Sequence, residues 1–172
     1  MAKREKRVKR EFFDFRVGIG FDIHRFSRVS KRKRKLILGQ VEIDYNGLEG
    51  ASDTDVVLHS ICDAILGAAG KDDIGTLFPP ETSKGITSRK IAEKVIEVVS
   101  GRYKIVNIDC VIIAQKPKLG IFIPEMKKKL SELFSCDVNV RVKSPEHLGD
   151  IGKGKGISAI SVALLRPKTS KS

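Results

Sequence analysis

The pattern that most restricts the fold of this chain is an alternation between short apolar runs typical of β-strands and amphipathic segments typical of helices. The clearest helix is predicted over residues 53–69, where Ser52 or Asp53 is the candidate N-cap and Gly70 the candidate end. Because the alternation contains no internal repeat or dividing linker, we predict an α/β fold, an α+β sandwich whose small mixed sheet carries helices on one face. The other predicted elements are helices over 87–99 and 124–134, strands over 12–26, 36–43, 104–115, 138–142 and 157–165, and longer loops over 71–82 and 144–156.

Charge separates two short basic segments from the rest of the chain. The net charge is +12, of which residues 1–10 contribute +5 and residues 28–35 contribute +6, so the remainder is close to neutral. Such blocks either bind nucleic acid or form a mobile tail and a solvated loop. We favour the second alternative, because no aromatic side chains interleave with the basic ones as stacking platforms would require. We predict a basic tail over 1–15, a single domain over 16–166 and a C-terminal tail over 167–172.

Apolar runs and cysteines bear on where the protein acts. No apolar run approaches the ~20 residues that cross a bilayer, and the N-terminal residues lack the apolar stretch of a signal peptide. The cysteines, Cys62, Cys110 and Cys136, are far apart, odd in number and not arranged as CxxC. This argues against a disulfide framework and against a thiolate zinc site. We therefore expect a cytoplasmic protein without a membrane partner.

Two of the three histidines share one face of a predicted strand or helix with acidic residues. Asp22 and His24 are two positions apart in a predicted strand, so their side chains share one face of the sheet. Aspartate and neutral imidazole are good zinc ligands, although this pair alone is weak support for a metal site. His59 shares a helical face with Asp55 and Asp63, and a carboxylate there can orient a metal-binding ring. The alternatives are an ordinary surface or core histidine, and an interaction of Asp55 with the helix N-terminus.

The glycine-rich segment over residues 143–156 carries the parts of a phosphate site. Lys143 and Lys153 supply cations, Ser144 supplies a hydroxyl, and the glycines leave backbone N–H groups free to bind an anion. Glu146 fits such a site only if it holds a hard cation such as Mg²⁺. The segment is not a Walker motif, because no GxxxxGK[ST] is present.

Taken in order along the chain, these stretches resemble one known family. GFDIH, SDTDVVLHSICDAILGAA, DIGTLFP, NIDCVIIAQKPKL and EHLGDIGKGKGI follow one another as they do in 2-C-methyl-D-erythritol 2,4-cyclodiphosphate synthases, and the likeness covers residues 16–165. The resemblance implies an enzyme of non-mevalonate isoprenoid biosynthesis that converts 4-diphosphocytidyl-2-C-methyl-D-erythritol 2-phosphate to 2-C-methyl-D-erythritol 2,4-cyclodiphosphate and releases CMP. Such an enzyme is a metal-dependent phosphorus-oxygen lyase. The resemblance also implies a homotrimer with active sites between neighbouring subunits, and it leaves open an isoprenoid diphosphate in the trimer cavity.

The resemblance assigns roles to residues position by position. Asp22, His24 and His59 match the ligands of Zn²⁺ or another divalent transition ion. Glu146 matches the residue that holds Mg²⁺ or Mn²⁺ with the substrate. Residues 73–75 match a substrate-binding stretch, and residues 114–120 match a wall that contacts cytidine chiefly through its backbone. The expected metal ligands are Asp22, His24, His59 and Glu146; the expected catalytic residues are Lys143, Ser144 and Glu146; the expected substrate-binding residues are Asp22, His24, Ser52, Asp63, Asp73, Ile74, Gly75, Phe78, Ala114, Gln115, Lys116, Pro117, Lys118, Leu119, Gly120 and Lys153.

Several positions depart from the family pattern. Ala51 stands where the family usually has a histidine that supports the transition state, Asp150 where it has an aromatic residue, and Lys153 where it has an arginine. We hypothesise that the cation of Lys143 partly replaces the missing imidazole, and an unchanged rate of CMP release in Lys143→Ala would contradict this. Two alternatives to the cyclase stay open at this point: a weakly active family member that binds isoprenoid or nucleotide, and a basic nucleic-acid-binding protein.

Overall fold

Six strands and five helices make up the part of the chain that the computed structural model describes, which is residues 15–28, 35–50, 53–79 and 85–168. The alternation of strands and helices that we expected is confirmed. The strands are β1 (Arg16–Arg25), β2 (Lys35–Leu38), β3 (Val41–Asn46), β4 (Tyr103–Ile113), β5 (Asp137–Lys143) and β6 (Gly156–Pro167). The helices are α1 (Val56–Ala68), α2 (Ile74–Leu77), α3 (Ser88–Ser100), α4 (Ile123–Phe134) and α5 (Gly149–Gly152), and a 3-10 turn, Gly120–Phe122, precedes α4.

The larger sheet is four-stranded and has the strand order β1-β6-β4-β5. β6 pairs antiparallel with both β1 and β4, whereas β4 and β5 run parallel. Parallel neighbours need a crossover connection, and α4 provides it between β4 and β5. The expectation of a mixed sheet is therefore confirmed, and β2 and β3 form a separate two-stranded hairpin.

The prediction of one strand over 36–43 is wrong, because the chain reverses in the middle of that run. Gly39 and Gln40 have φ of 54° and 65°, left-handed values that tight two-residue hairpin turns use. Their N–H groups each donate a hydrogen bond of 2.9 Å to the carboxylate of Asp55. The side chain of Asp55 thus supports a turn that the apolar sequence did not reveal.

The predicted start of the first helix is wrong by a few residues. α1 begins at Val56, and its N-cap is Asp55, whose carboxylate accepts from the N–H groups of Val57 and Leu58. Asp53 does not cap the helix, and Ser52 lies outside the described residues. The alternative interpretation of Asp55, an interaction with the helix N-terminus, is therefore confirmed. The segments predicted as loops over 71–82 and 144–156 contain the short helices α2 and α5.

Helix α1 lies directly against one face of the sheet. It packs along β1 and β6 and also contacts β4, while α3 packs on α1 and α4 packs on β5. A Cβ atom on Gly18 would lie 2.1 Å from the carbonyl oxygen of Ala64, and one on Gly20 would lie 2.0 Å from that of Ser60. Glycine at these two strand positions is what lets the helix backbone approach so closely. The helices lie on one face, as expected.

The opposite face of β1 is apolar and exposed. Val17, Ile19, Phe21 and Ile23 alternate with the inward glycines, and the side chain of Ile19 is 70% exposed. In the register of the sheet, Ile19 stands opposite Val162 of β6, which is also exposed. A contiguous apolar patch of this kind marks an interaction surface. Among the described residues, no helix is long and apolar enough to cross a membrane.

Candidate functional site

The three residues expected to bind a transition ion come from two packed elements. Asp22 and His24 continue the inward-facing series of Gly18 and Gly20 on β1, and His59 projects towards them from α1. The two glycines bring the helix close enough for the side chains to meet. The potential ligand atoms of Asp22, His24 and His59 all lie within 4.8 Å of one another. The structure therefore brings this predicted group together.

Asp22 lies between the two imidazole rings. Its Oδ2 atom is 3.0 Å from Nδ1 of His59, and its Oδ1 atom is 3.3 Å from Nε2 of His24. Burial by itself raises the pKa of the Asp22 carboxyl, but hydrogen bonds and charge interactions with His24 and His59 outweigh burial and hold that pKa below its usual range. The site therefore presents an ionised oxygen ligand flanked by two nitrogen ligands.

A backbone carbonyl fixes the ring of His24. Nδ1 of His24 lies 2.7 Å from the carbonyl oxygen of Glu49. Because a carbonyl oxygen can only accept, Nδ1 carries a hydrogen, and Nε2, which faces Asp22, is the nitrogen available to a metal. Metal-binding histidines are commonly oriented in this way by a backbone carbonyl.

The ring of His59 is held by residues that the sequence analysis did not assign to the site. Nε2 of His59 is 2.9 Å from Oγ of Ser88, which in turn donates to Oδ1 of Asp53. Asp53 had been considered only as a helix cap, and no spacing rule links His59 to a serine in another helix. The carboxylates on the same helical face as His59 do not orient its ring, because Asp55 caps α1 and Asp63 binds a backbone N–H group.

The donor set fits a divalent transition ion. One carboxylate and two neutral imidazoles are ligands that zinc accepts, and three protein ligands with a further position open for substrate are typical of catalytic zinc sites. The nitrogens that face Asp22, Nε2 of His24 and Nδ1 of His59, would give their lone pairs to a metal shared with Asp22. The expectation of a metal site at Asp22, His24 and His59 is therefore supported by the chemistry of the side chains.

Asp63, expected to bind substrate, ties the following loop to α1. Its Oδ1 atom accepts a 2.9 Å hydrogen bond from the N–H of Ile74. Burial raises the pKa of Asp63, the hydrogen bond from Ile74 opposes that rise, and the charges of Asp73 and Asp22 add to it. The remaining residues expected in this loop divide by exposure: Ile74 and Phe78 are half-buried against the core, whereas Asp73, the N-cap of α2, and Gly75 are exposed.

Most of the expected cytidine wall lines one cavity of about 480 Å³. The wall joins the end of β5, because the N–H of Ala114 donates to the carbonyl oxygen of Lys143 over 3.1 Å. Oε1 of Gln115 accepts from the N–H of His147 over 3.2 Å, which attaches the wall to the next turn. Ser144 lines the same cavity as the wall, while the side chain of Lys116 is exposed. The cavity is lined by Ala114, Gln115, Pro117, Lys118, Leu119, Gly120, Ile121, Val142 and Ser144.

The expected catalytic side chains lie on an exposed turn after β5. Lys143, Ser144 and Glu146 are all exposed, and Oγ of Ser144 accepts from the N–H of Glu146 over 3.1 Å. Glu146 and His147 have φ of 51° and 62°, so the turn is left-handed at both positions. Glu146 does not belong to the Asp22, His24 and His59 cluster. Lys153, expected to bind substrate, is exposed where α5 ends.

The far end of the glycine-rich segment returns to the strand that carries the metal ligands. The N–H of Phe26 donates to the carbonyl oxygen of Lys155 over 2.9 Å, just before β6 begins. A cavity of about 530 Å³ opens there beside His24, and Asp150 and Lys155 are among its lining residues. Asp150, which replaces the family's aromatic residue, forms an ion pair of 2.9 Å with Lys155. The cavity beside His24 and the cavity lined by the cytidine wall are therefore different cavities of this chain.

Ser52, also expected to bind substrate, and the neighbouring Ala51 lie outside the described residues. The same holds for most of the two basic segments, 1–10 and 28–35, of which the structure describes Arg28 and Lys35. The roles expected for Ser52, Ala51 and the two basic segments therefore stay predictions.

Sequence and structure comparisons agree with this geometry. A family model described as the YgbB family matches residues 15–166. A 2-C-methyl-D-erythritol 2,4-cyclodiphosphate synthase of Clostridium acetobutylicum is 48% identical over 157 residues, which is 87% of this chain and 99% of that protein. The synthase of the same name from Caldicellulosiruptor bescii is 45% identical over 158 residues, covering 88% of this chain and 98% of that protein.

Solved structures give the same result. IspF from Plasmodium falciparum in complex with CDP superposes with a TM-score of 0.78 at 36% identity, covering 90% of this chain and 97% of that one. The bifunctional IspDF from Campylobacter jejuni gives a TM-score of 0.84 at 34% identity, covering 91% of this chain but only 43% of that longer one. The resemblance inferred from the motifs is confirmed, and the chain belongs to the YgbB family, in which 2-C-methyl-D-erythritol 2,4-cyclodiphosphate synthases are its relatives.

Proposed function

We propose that this protein is a cyclodiphosphate synthase that converts 4-diphosphocytidyl-2-C-methyl-D-erythritol 2-phosphate to 2-C-methyl-D-erythritol 2,4-cyclodiphosphate. The single observation that carries the proposal is the convergence of Asp22, His24 and His59 in a member of the YgbB family. The metal-dependent activity of such an enzyme supplies a precursor in isoprenoid biosynthesis. The nucleic-acid alternative has no comparable support, because it rests on two basic segments that lie mostly outside the described residues.

The reaction needs positioning more than it needs covalent chemistry from the protein. An oxygen of the 2-phosphate forms a bond to the β-phosphorus, the bond from that phosphorus to the oxygen shared with the α-phosphate breaks, and CMP leaves with that oxygen. The nucleophile is already a phosphate anion, so no strong base is required. Alignment and neutralisation of phosphate charge therefore account for most of the catalysis.

Asp22, His24 and His59 would hold Zn²⁺ or another divalent transition ion. Such an ion, when bound, acts as a Lewis acid towards a phosphoryl oxygen. The chain keeps the ligands in place before the ion arrives: Glu49 fixes the ring of His24 through its carbonyl oxygen, and Asp22 stays ionised between the rings. These contacts lower the cost of ordering the site when metal and substrate bind.

The turn after β5 would contact the substrate phosphates. Oγ of Ser144 accepts from the backbone N–H of Glu146, so the hydroxyl hydrogen of Ser144 can donate to a phosphate oxygen. The exposed carboxylate of Glu146 would hold Mg²⁺ or Mn²⁺ together with those oxygens, since these hard ions prefer oxygen ligands. Lys143 and Lys153 add positive charge beside the same phosphates.

Residues 114–120 would receive the cytidine, with Ser144 at the edge of the cavity. The cavity of about 480 Å³ is of a size that holds small ligands. The IspF structure from Plasmodium falciparum is a CDP complex, which supports a cytidine-diphosphate site in this protein as well. On this proposal, Asp63, residues 73–75 and Phe78 contact the erythritol end of the substrate, together with Ser52.

We propose a homotrimer in which the exposed apolar face of β1 and β6 is covered by neighbouring copies. Ile19 is 70% exposed in the single chain and Phe21 is 53% exposed, and both belong to a continuous apolar strip. Because His24 and the cytidine wall line different cavities of one chain, a neighbouring subunit would complete each active site. The cavity enclosed at the centre of such a trimer could accept an isoprenoid diphosphate.

The cytoplasm is the proposed location, and the cysteines support it. Cys62, Cys110 and Cys136 are all free thiols, and burial raises the pKa of Cys110 and of Cys136 to about 11. Buried thiols of this kind are not metal ligands or nucleophiles at neutral pH, and they suit a reducing compartment.

A direct assay tests the proposed activity. The full chain is incubated with the cytidylyl substrate, Zn²⁺ and Mg²⁺, and CMP and the cyclic product are quantified by chromatography. Equal amounts of both products are expected, and neither should form after chelation of the metals. Absence of both products above background in the untreated protein would defeat the proposal.

The proposed assembly has its own test. Ile19→Lys places a charge on the exposed apolar strip without disturbing the core of the single chain, so the trimer should dissociate to monomers in analytical ultracentrifugation. Val98→Lys, a matched change at an exposed apolar position of α3, should leave the trimer intact. A monomeric wild-type protein would refute the trimer.

A further inference from the structure

The hydroxyl of Ser88 is at the centre of a buried hydrogen-bond network behind His59. Ser88 is completely buried, and its Oγ atom has three partners within hydrogen-bond distance. The N–H of Asp55 is 3.2 Å away, Nε2 of His59 is 2.9 Å away, and Oδ1 of Asp53 is 2.5 Å away. Asp53 also accepts from the backbone N–H of Ser88 over 2.8 Å.

The three contacts allow one arrangement of hydrogens. A serine hydroxyl has one hydrogen to donate and two lone pairs that accept. The short contact between Oγ of Ser88 and the carboxylate oxygen of Asp53 joins two oxygens, so the hydroxyl hydrogen must lie between them. The N–H of Asp55 occupies one lone pair, which leaves the other lone pair for His59. Nε2 of His59 must therefore be the donor.

We infer that Ser88 and Asp53 are positioning residues that hold the hydrogen of His59 on Nε2 when the ring binds a metal. A neutral imidazole carries one ring hydrogen, so a hydrogen on Nε2 leaves the lone pair on Nδ1. Nδ1 lies 3.0 Å from the carboxylate of Asp22, and it would give that lone pair to an ion shared with Asp22. Ser88 and Asp53 act through His59. This inference rests on the metal site of the proposed function, and its tests measure the ring hydrogen and zinc affinity rather than activity.

The network also ties three parts of the chain to the metal centre. Ser88 is the first residue of α3, Asp53 precedes the N-cap of α1, and His59 lies one turn into α1. Partners in such a position are worth about 10–100-fold in metal affinity at well-studied sites. Loss of the hydroxyl leaves Nε2 of His59 without an acceptor, which makes the hydrogen on Nδ1 more favourable and blocks the ligand lone pair.

The first test is spectroscopic and uses the zinc-loaded protein. The chain contains only three histidines, so their ring nitrogens can be resolved in long-range proton–nitrogen correlation spectra. We expect His59 to bind the ion through Nδ1 and to carry its hydrogen on Nε2, where exchange with solvent is slow because Ser88 is buried. In Ser88→Ala we expect that hydrogen to exchange faster. A wild-type ring that binds the ion through Nε2, or an Nε2 hydrogen that exchanges as fast in the wild type as in Ser88→Ala, would overturn the inference.

The second test measures affinity for Zn²⁺ by competition with a chromophoric chelator. Ser88→Ala should weaken zinc binding by about 10–100-fold, and Asp53→Asn, which keeps an acceptor oxygen but no charge, by less. Ser100→Ala is the matched control, because it removes an exposed hydroxyl of α3 that bonds only within its own helix. If Ser88→Ala unfolds, Asp53→Asn decides the matter through the same two measurements. Wild-type hydrogen exchange at Nε2 and wild-type zinc affinity in a folded Ser88→Ala would show that the network is merely structural.

Discussion

Asp22, His24 and His59 lie between a strand and a helix, and each has a partner within the chain, whereas Lys143, Ser144 and Glu146 lie on an exposed turn. The first group, here called the metal half, is organised by burial and by glycines that bring β1 onto α1. The second, called the phosphate half, is held mainly through its backbone, as in the bond between the N–H of Glu146 and Ser144. The difference indicates that the metal half is formed before the substrate binds. The side chains of the phosphate half become ordered only when the substrate, an ion or a neighbouring subunit contacts them.

The largest effect is expected from removing a ligand of the metal half. His59→Ala should reduce affinity for Zn²⁺ by about a thousandfold or more, because one of three protein ligands is lost, and CMP release should fall with it. His147→Asn is the control for zinc affinity, since His147 is exposed, lies outside the cluster and has a left-handed φ that asparagine tolerates. Equal zinc affinity in His59→Ala and the wild type would show that the metal half does not bind this ion.

The next largest effect should come from the glycine that lets the metal half form. In Gly20→Ala the new Cβ would lie 2.0 Å from the carbonyl oxygen of Ser60, so β1 and α1 must separate. We expect the free energy of unfolding to fall by about 3 kcal/mol, with weaker zinc binding, in urea denaturation followed by circular dichroism. Gly101→Ala, where no atom lies within 4 Å of the new Cβ, should be close to neutral. A fully stable Gly20→Ala would contradict the close-packing argument.

A change in the phosphate half should separate activity from stability. Glu146→Gln keeps the shape of the side chain but removes the charge that would hold Mg²⁺, so kcat should fall by about 10–100-fold and the requirement for Mg²⁺ should rise. Unfolding and zinc affinity should match the wild type, because Glu146 is exposed and outside the cluster. If the Mg²⁺ dependence of the rate is unaltered, Glu146 does not hold the second ion.

The smallest effect concerns Asp63, which ties the loop after α1 to that helix and lies outside both halves. Its pKa is raised in the folded protein, so the ionised form opposes folding above that pKa, and the penalty disappears as the pH falls through it towards the ordinary value of 3.8. Asp63→Asn keeps an oxygen for the N–H of Ile74 and should increase the free energy of unfolding at pH 7 by less than about 1 kcal/mol, since the group is partly exposed.

The pH dependence of the free energy of unfolding tests whether burial of the Asp63 charge causes the gain in Asp63→Asn. The gain in Asp63→Asn should shrink between pH 7 and pH 4 in urea titrations, whereas Asp72→Asn, a change at an exposed neighbour, should show no such trend. A gain that stays constant over this range would mean that burial of charge at Asp63 is not the cause.

The sequence predicted the elements whose apolar spacing is regular. β1 and α1 have such spacing, and the family motifs on them identified Asp22, His24 and His59. The hairpin turn at Gly39 and Gln40 escaped prediction, because it is stabilised by the carboxylate of Asp55 from a distant segment. Contacts of this type depend on the folded arrangement and leave no local signal.

The supporting residues of the site show the same limit. Ser88 begins a predicted helix, and nothing in its neighbourhood distinguishes it from an ordinary first-turn serine. Its partners, His59 and Asp53, lie in another part of the chain, so their meeting depends on how α3 packs on α1. The position of Glu49 behind His24 is likewise a property of the backbone path, since its carbonyl, rather than its side chain, makes the contact.

Strand β1 places glycines and metal ligands on one side and an apolar strip on the other, and this double use limits how its length can vary. In a strand, a shift of one residue exchanges the two faces. A single insertion or deletion between Gly18 and His24 would turn ligands outward and bring bulky side chains such as Phe21 against α1, where even a Cβ does not fit. Related proteins that keep the reaction should therefore conserve the number of residues in this strand more strictly than its apolar side chains, whose outward positions accept any residue that the neighbouring surface can cover.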